Sequence, residues 1–220
     1  MIQGGIVLKI SAKDMLLYAV TDRTWFNGKT LSSQVEEAII GGATFIQLRE
    51  KNLNYSDFLN EAIEIRKICN KYKIPFVIDD NVEIALKSGA DGVHLGQNDM
   101  SIKQARNILG ENKIIGATAR NVEQALKAQQ EGADYIGSGA VFATSTKSDT
   151  VPLSYENLCR ICSSVDIPVV AIGGINAENA KNLSGSGISG IAVVSGIFKS
   201  DDVRKSAQIL KETVIDIIGD

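Results

Sequence analysis

The sequence predicts a single (β/α)8 TIM barrel, an α/β fold, from three observations. Short apolar runs rich in Val, Ile and Ala recur eight times along 220 residues, nearly continuous, as strands buried on both faces should be. Segments with apolar residues three and four apart separate them, and several close in Gly, the pattern of amphipathic helices. A composition of 44% hydrophobic residues, with Gly 20 against Pro 3, fits one large domain, and about 200 residues is the compact limit of this barrel. Strand alternating with helix implies parallel pairing through right-handed crossovers. An open doubly wound sheet is the alternative, but the first strand and helix lack a G-x-G-x-x-G between them. The expected organisation is one barrel over 1–220, with 1–13 an extension that caps its bottom.

In order, the strands lie in "LLYAVTD", "ATFIQLRE", "PFVIDD", "DGVHLG", "KIIGAT", "DYIGSGAVF", "PVVAIGG" and "GIAVVSGIF". Helices are expected in segments such as "LSSQVEEAIIGG", "DFLNEAIEIRKICNKY", "SIKQARNILG" and "VEQALKAQQEG". Active sites of such barrels sit at the C-terminal strand ends and the loops that follow. Strand two ends in Gln47, Arg49 and Lys51 at alternate positions, with Leu48 and Glu50 between them; strand three in Asp79, Asp80 and Asn81; strand four in "GQND" with Asp99. Strand five ends in Thr118 and Arg120, and strand six runs into "FATSTKSD", which holds Thr144, Ser145, Thr146 and Lys147. Strands seven and eight end in Gly173 and Gly174, and in Val194 and Ser195.

The formal charge of −3 gives no cationic field, which argues against nucleic acid and anionic membrane surfaces as partners and requires any anion binding to be local. No run approaches the ~20 apolar residues of a membrane span, and the N-terminal stretch lacks a signal-peptide core and cleavage site; the expected location is cytoplasmic. Cys69, Cys159 and Cys162 offer no disulfide framework, as suits a reducing compartment. The C-x-x-C in "YENLCRICSSV" falls at helical spacing with Leu158, Ile161 and Val165, which favours packing over zinc or redox chemistry. His94, the only histidine, is expected to be structural.

Two chemical inferences follow. The glycines after strands seven and eight remove side chains where a phosphate must approach backbone N–H groups, although tight turning alone also favours glycine. Asp80 and Asp99 end adjacent strands beside Arg49, Lys51 and Lys147. Carboxylates would repel a phosphate unless a hard cation joined them, and Mg2+ is typically held by one or two carboxylates plus phosphate oxygens and waters. Helix capping is the alternative role for these aspartates. Successive strand residues face opposite ways, so with Asp80 on the metal Asp79 turns away unless the strand end has already twisted into its loop.

"YAVTD", "QLREKN", "GADGVHLGQND", "TSTK", "VVAIGGI" and "AVVSGIF", in this order over roughly residues 15–200, resemble the bacterial thiamine phosphate synthases. That resemblance implies an Mg2+-dependent (β/α)8 transferase joining 4-amino-5-hydroxymethyl-2-methylpyrimidine diphosphate to a thiazole ethyl phosphate, with loss of diphosphate. It implies Gln47, Leu48, Arg49, Glu50, Lys51, Asp79, Thr118 and Lys147 around the pyrimidine diphosphate, and Arg49, Lys51 and Lys147 assisting its departure. It places Thr144, Ser145, Thr146, Gly174, Val194 and Ser195 at the thiazole phosphate, and Asp80 and Asp99 at the metal. The chain departs from the family pattern at Asp79 (usually Asn), Thr118 and Arg120 (usually Ser and His) and Ala143 (usually Pro). A thiazole tautomerase paralogue or a non-catalytic phosphate-binding barrel are the alternatives; the partners expected are small phosphorylated molecules, and the protein is either a monomer or a homo-oligomer.

Overall fold

The computed structural model describes residues 10–26, 28–144 and 152–219. Eight parallel strands close in chain order, each paired with the next and the last with the first. They are β1 (Leu17–Val20), β2 (Phe45–Leu48), β3 (Phe76–Asp79), β4 (Gly92–Leu95), β5 (Ile114–Thr118), β6 (Tyr135–Gly139), β7 (Val169–Ile172) and β8 (Gly190–Val193). All eight expected strands are present. The helices are α1 (Leu31–Ile40), α2 (Tyr55–Tyr72), α3 (Val82–Ser88), α4 (Ile102–Leu109), α5 (Val122–Gln130), α6 (Tyr155–Ser164), α7 (Ser195–Phe198) and α8 (Val203–Ile218). After β7 the crossover shrinks to a short 3-10 helix, Ala180–Leu183, in a stretch too rich in Gly, Asn and Ser to sustain an α-helix.

Strand alternation sorts the core into two sets. Leu17, Ala19, Ile46, Leu48, Phe76 and Ile78 point outward into a large cluster shared with the helices. Tyr18, Phe45, Val77, Tyr135 and Val170 point inward, joined from below by Ile10 and Met15. This parity turns Gln47 inward and Leu48 outward, so the Leu48 side chain is core and does not line the cavity at the barrel mouth. Cys162 packs against the outer cluster beside Leu158 and Ile161, and burial pushes its thiol up to about 12, in keeping with a packing role for the C-x-x-C.

The barrel floor is aromatic. Tyr18 and Phe45 meet edge to face at 4.6 Å, and Tyr135 packs on both at 5.8 and 5.6 Å. Two strand glycines make room for the next layer: a Cβ on Gly116 would run into the Tyr135 ring, and one on Gly137 would lie 3.1 Å from the His94 ring.

A second fixed point ties the mouth loops together. Arg23, after β1, donates from Nε to both oxygens of Glu50 at 2.9 Å and from its terminal nitrogen to Glu61 of α2. The Glu50 carboxylate is only 3% exposed and does not line the mouth cavity; the side chain between Arg49 and Lys51 is an anchor for the β1 loop. Burial, then the hydrogen bond with Glu50, pushes Glu61 up to about 7 against the pull of Arg23.

Gly116→Ala is expected to cost about 3 kcal/mol, a drop of roughly 6–12 °C in Tm, because the three rings cannot retreat from the added methyl. An unchanged melting curve would mean that the floor yields. The raised Glu61 favours the fold while protonated, so its stabilisation is full below the ordinary carboxylate pKa and is lost as pH rises through about 7. Tm should therefore fall between pH 5 and 8, and Glu61→Gln should flatten that fall; parallel curves for the two proteins would refute it.

Candidate active site

A cavity of about 130 Å3 opens at the C-terminal end of the barrel, floored by Tyr18 and walled by residues from all eight strand ends. On one side stand Gln47, Arg49, Asp79 and Asp80, on the other Gly173, Gly174, Val194 and Ser195, with Thr118, Arg120 and Thr144 between. Of the residues expected here, Lys51 and Asp99 sit at the rim beside Asp80. Ser145, Thr146 and Lys147 lie outside the described residues.

The charged wall is a lattice of alternating sign. The Arg49 backbone N–H donates to buried Thr21 Oγ1 at 3.0 Å, which fixes the strand end, and its guanidinium lies 3.6 Å from Asp22 and 3.7 Å from Asp79. Lys51 Nζ pairs with Asp79 at 3.1 Å and with Asp80. Asp79 is on the inward parity of β3, and Asp80 would be expected to face out. It does not, because Asp80 adopts φ +59°, and Asn81 N donates back to Asp79 O at 2.7 Å across it. The reversal brings two consecutive carboxylates to one lysine, at a backbone cost of about 1–3 kcal/mol. The expectation that Asp79 turns away thus gives way to the exception allowed for a twisted strand end. Asn81, not either aspartate, caps α3 by accepting from Ile84 N at 2.9 Å, and Ser101 caps α4.

Asp80 and Asp99 meet. The tight "GQND" turn folds the Asp99 carboxyl onto Gly96 N–H at 2.7 Å, within hydrogen-bonding reach of Asp80. Burial, then the Asp80 carboxylate, raises Asp99 above its ordinary value. Burial works against Asp80 too, but the hydrogen bonds from Asp99 and Lys51 outweigh it and hold Asp80 low. Two carboxyls in contact, one held low and the other raised, mark a place where a hard cation fits between them. Among the described residues no three His, Cys, Asp or Glu side chains gather in metal-ligating geometry, so a cation held by this pair keeps positions open for other oxygen ligands. Asp79 is also raised, by burial first and then by Asp80, against Lys51 and Arg49.

The floor carries a polar chain that sequence reasoning missed. Gln47 Nε2 donates to Tyr18 Oη at 2.6 Å, Tyr18 Oη lies 2.8 Å from Tyr135 Oη, Tyr135 Oη 3.0 Å from His94 Nδ1, and His94 Nε2 3.0 Å from Thr118 Oγ1. His94, expected to be structural, faces the cavity from β4 by the same parity that places Gln47 and Asp79. Its inward position in "GVHLG" was the available signal; Tyr18 and Tyr135 gave none, being indistinguishable from core aromatics.

The opposite wall is stripped of side chains. Gly173 and Gly174 take φ +101° and +68°, and a Cβ on Gly174 would strike the carbonyls of Phe142 and Ala143, just before Thr144. The first backbone bonds of α7 run from Ile197 N and Phe198 N to Val194 O, leaving the N–H groups of Ser195 and Gly196 ahead of the helical ladder.

The family model for thiamine monophosphate synthase matches residues 17–197. A thiamine-phosphate synthase of Ruminiclostridium cellulolyticum is 50% identical over 202 residues, covering 92% of this chain and 96% of the relative. One from Fusobacterium nucleatum is 50% identical over 200 residues, covering 90% and 97%. The structure of a thiamine phosphate pyrophosphorylase from Pyrococcus furiosus superposes with a TM-score of 0.88 at 41% identity, over 94% of this chain and 99% of that one. With the barrel closed and its charged mouth assembled as described, the chain belongs to the thiamine monophosphate synthase family, transferases of thiamine biosynthesis.

Proposed function

We propose that the mouth holds 4-amino-5-hydroxymethyl-2-methylpyrimidine diphosphate against the β2–β4 wall and a thiazole ethyl phosphate against the β6–β8 wall, and joins them as thiamine phosphate. The observation that carries this reading is the division of one cavity between a cation and carboxylate lattice and a glycine-stripped wall. The first suits a diphosphate and the second a phosphate bound by backbone N–H groups. The same division favours a synthase over a tautomerase or a phosphate-binding shell, neither of which requires the lattice. The substrates are small phosphorylated molecules, and the reading implies a cytoplasmic enzyme; no helix among the described residues is long and apolar enough to cross a membrane.

The bond that breaks joins the pyrimidine CH2 to a diphosphate oxygen, which leaves with the electron pair. The aminopyrimidine ring delocalises the resulting cation, and the thiazole nitrogen attacks the CH2 to form the new C–N bond. No nucleophilic side chain is needed. Arg49 and Lys51 stabilise the charge that grows on the departing diphosphate, and Lys147, in "FATSTKSD", is assigned the same task. Losing one preorganised contact of this kind typically costs about 3–4 kcal/mol of barrier. Mg2+, held by Asp80 and Asp99, supplies charge neutralisation at the diphosphate when bound. Gln47 and Thr118 orient the pyrimidine diphosphate, while Thr144, Ser145, Thr146, Gly174, Val194 and Ser195 position the thiazole phosphate so that its nitrogen faces the CH2.

The purified chain, given both substrates and Mg2+, should release diphosphate and form thiamine phosphate; absence of both products would overturn the assignment. EDTA should abolish the reaction, and Asp80→Ala or Asp99→Ala should raise the Mg2+ concentration needed for half-maximal rate. Full turnover in EDTA would remove the metal from the reading.

Asp79→Asn tests the lattice. Asp79 pairs with both Lys51 and Arg49, so an amide there removes one of the two carboxylates that compete with the diphosphate for each cation. At about 1 kcal/mol for a partly screened pair, KM for the pyrimidine diphosphate should fall roughly fivefold, with KM for the thiazole phosphate little changed. A large loss of kcat at saturating substrate and Mg2+ would show instead that Asp79 ligates the metal.

A further inference from the structure

We infer that the chain from Gln47 to Thr118 is a one-way hydrogen-bond relay that presents the Thr118 hydroxyl to the cavity as a donor, with Tyr135 and His94 as its positioning residues. The direction follows from counting protons. The Gln47 amide nitrogen spends a donor on Tyr18 Oη at 2.6 Å. Tyr18 and Tyr135 are buried, at 1% and 0% exposure, and a buried hydroxyl proton without an acceptor is costly. The Tyr18 proton therefore goes to Tyr135 Oη, 2.8 Å away. The Tyr135 proton then goes to His94 Nδ1 at 3.0 Å, and the acceptor role at Nδ1 leaves the neutral imidazole its proton on Nε2. That nitrogen donates to Thr118 Oγ1 at 3.0 Å. Run backwards, the chain ends with the Tyr18 proton facing the Gln47 N–H, donor against donor.

Thr118 is held from both sides. Its hydroxyl oxygen accepts from His94, and its backbone carbonyl accepts from Gln97 Nε2 at 2.5 Å. The hydroxyl proton remains for the cavity that Thr118 lines. If the function proposed above is right, its acceptor is an oxygen of the diphosphate, an anionic partner that a donor suits and a lone pair would repel. Gly116 and Gly137 belong to the same device, since side chains there would displace Tyr135 and His94.

His94 is the only histidine in the sequence, so 15N-histidine NMR of the ligand-free enzyme reports this ring alone. At alkaline pH, where an imidazole is neutral, the spectrum should show Nδ1 as the bare acceptor and Nε2 as the protonated nitrogen. A ring protonated at Nδ1, or one averaging between tautomers, would overturn the relay. Tyr135→Phe, which keeps the ring that fills the floor, should abolish the tautomer preference; an unchanged spectrum would show that Tyr135 does not set it. In kinetics, Thr118→Val should lower kcat/KM for the pyrimidine diphosphate roughly ten- to hundredfold, the range of a hydrogen bond to a charged group. Tyr135→Phe should cost several-fold, and the double variant should be no worse than Thr118→Val alone. Additive losses would refute coupling through His94. If wild-type enzyme released no diphosphate, the function reading would fail while the NMR result still decided the relay.

Discussion

Everything at this site rests on the two-residue alternation of a closed parallel barrel. Strands of four or five residues contribute two or three side chains each to the interior, and the closed sheet has no edge at which a misplaced residue can escape to solvent. A shift of one residue would bury Glu50 in the barrel and expose Phe45 and Val77 to the helix layer. The inward set therefore has to supply packing at the bottom and chemistry at the top from the same strands: Tyr18, Phe45 and Val77 are followed one alternation later by Val20, Gln47 and Asp79. Along β2 and β3 this change from apolar to polar marks where protein packing stops and the cavity begins.

Charge at the mouth is built to be incomplete. Asp22, Asp79, Asp80 and Asp99 face Arg49 and Lys51, with Arg120 lining the same cavity. Arg49 and Lys51 already have carboxylates, so the wall is preorganised before a ligand arrives, and the diphosphate proposed above would compete with those carboxylates for the same donors. The anionic excess is tolerable without a ligand because Lys51 bridges Asp79 and Asp80 while Arg49 lies between Asp22 and Asp79. With a diphosphate present the excess becomes a barrier, which is the physical reason a divalent cation at Asp80 and Asp99 suits this wall.

What the sequence made legible was whatever depends on local period. The eight strands, the alternation of Gln47, Arg49 and Lys51, the buried face of "YENLCRICSSV" and the glycine wall all read correctly because each is decided within a few residues. The relay was not legible, since Tyr18 and Tyr135 are 117 positions apart and look like ordinary core residues until the barrel closes. Glu50 misled because the Arg23 that claims it comes from another loop. Leu48 was drawn in by its neighbours although parity alone sends it outward. The missing helix after β7 was foreshadowed by its Gly, Asn and Ser content. Asp80 is the sharpest case: nothing in "IDDN" signals a left-handed residue, since aspartate only tolerates that region without requiring it.

The strain at Asp80 has a reason that the alternation supplies. A strand can send only every second side chain inward, yet Lys51 pairs with two adjacent carboxylates at the end of β3, one of which also meets Asp99. One left-handed residue solves the problem by breaking the period where the strand stops, and two bonds hold it there: Asp80 N donates to His94 O at 2.8 Å and Asn81 N to Asp79 O at 2.7 Å. The first of these comes from the residue whose ring carries the relay. The His94 backbone thus fixes the Asp80 turn while its imidazole fixes the hydroxyl of Thr118. Both ends of the charged wall, the proposed diphosphate site, are thereby referred to one position on β4. A change at His94 would disturb both, and only the ring's contribution is separable by a substitution at Tyr135, which leaves the Asp80 turn untouched.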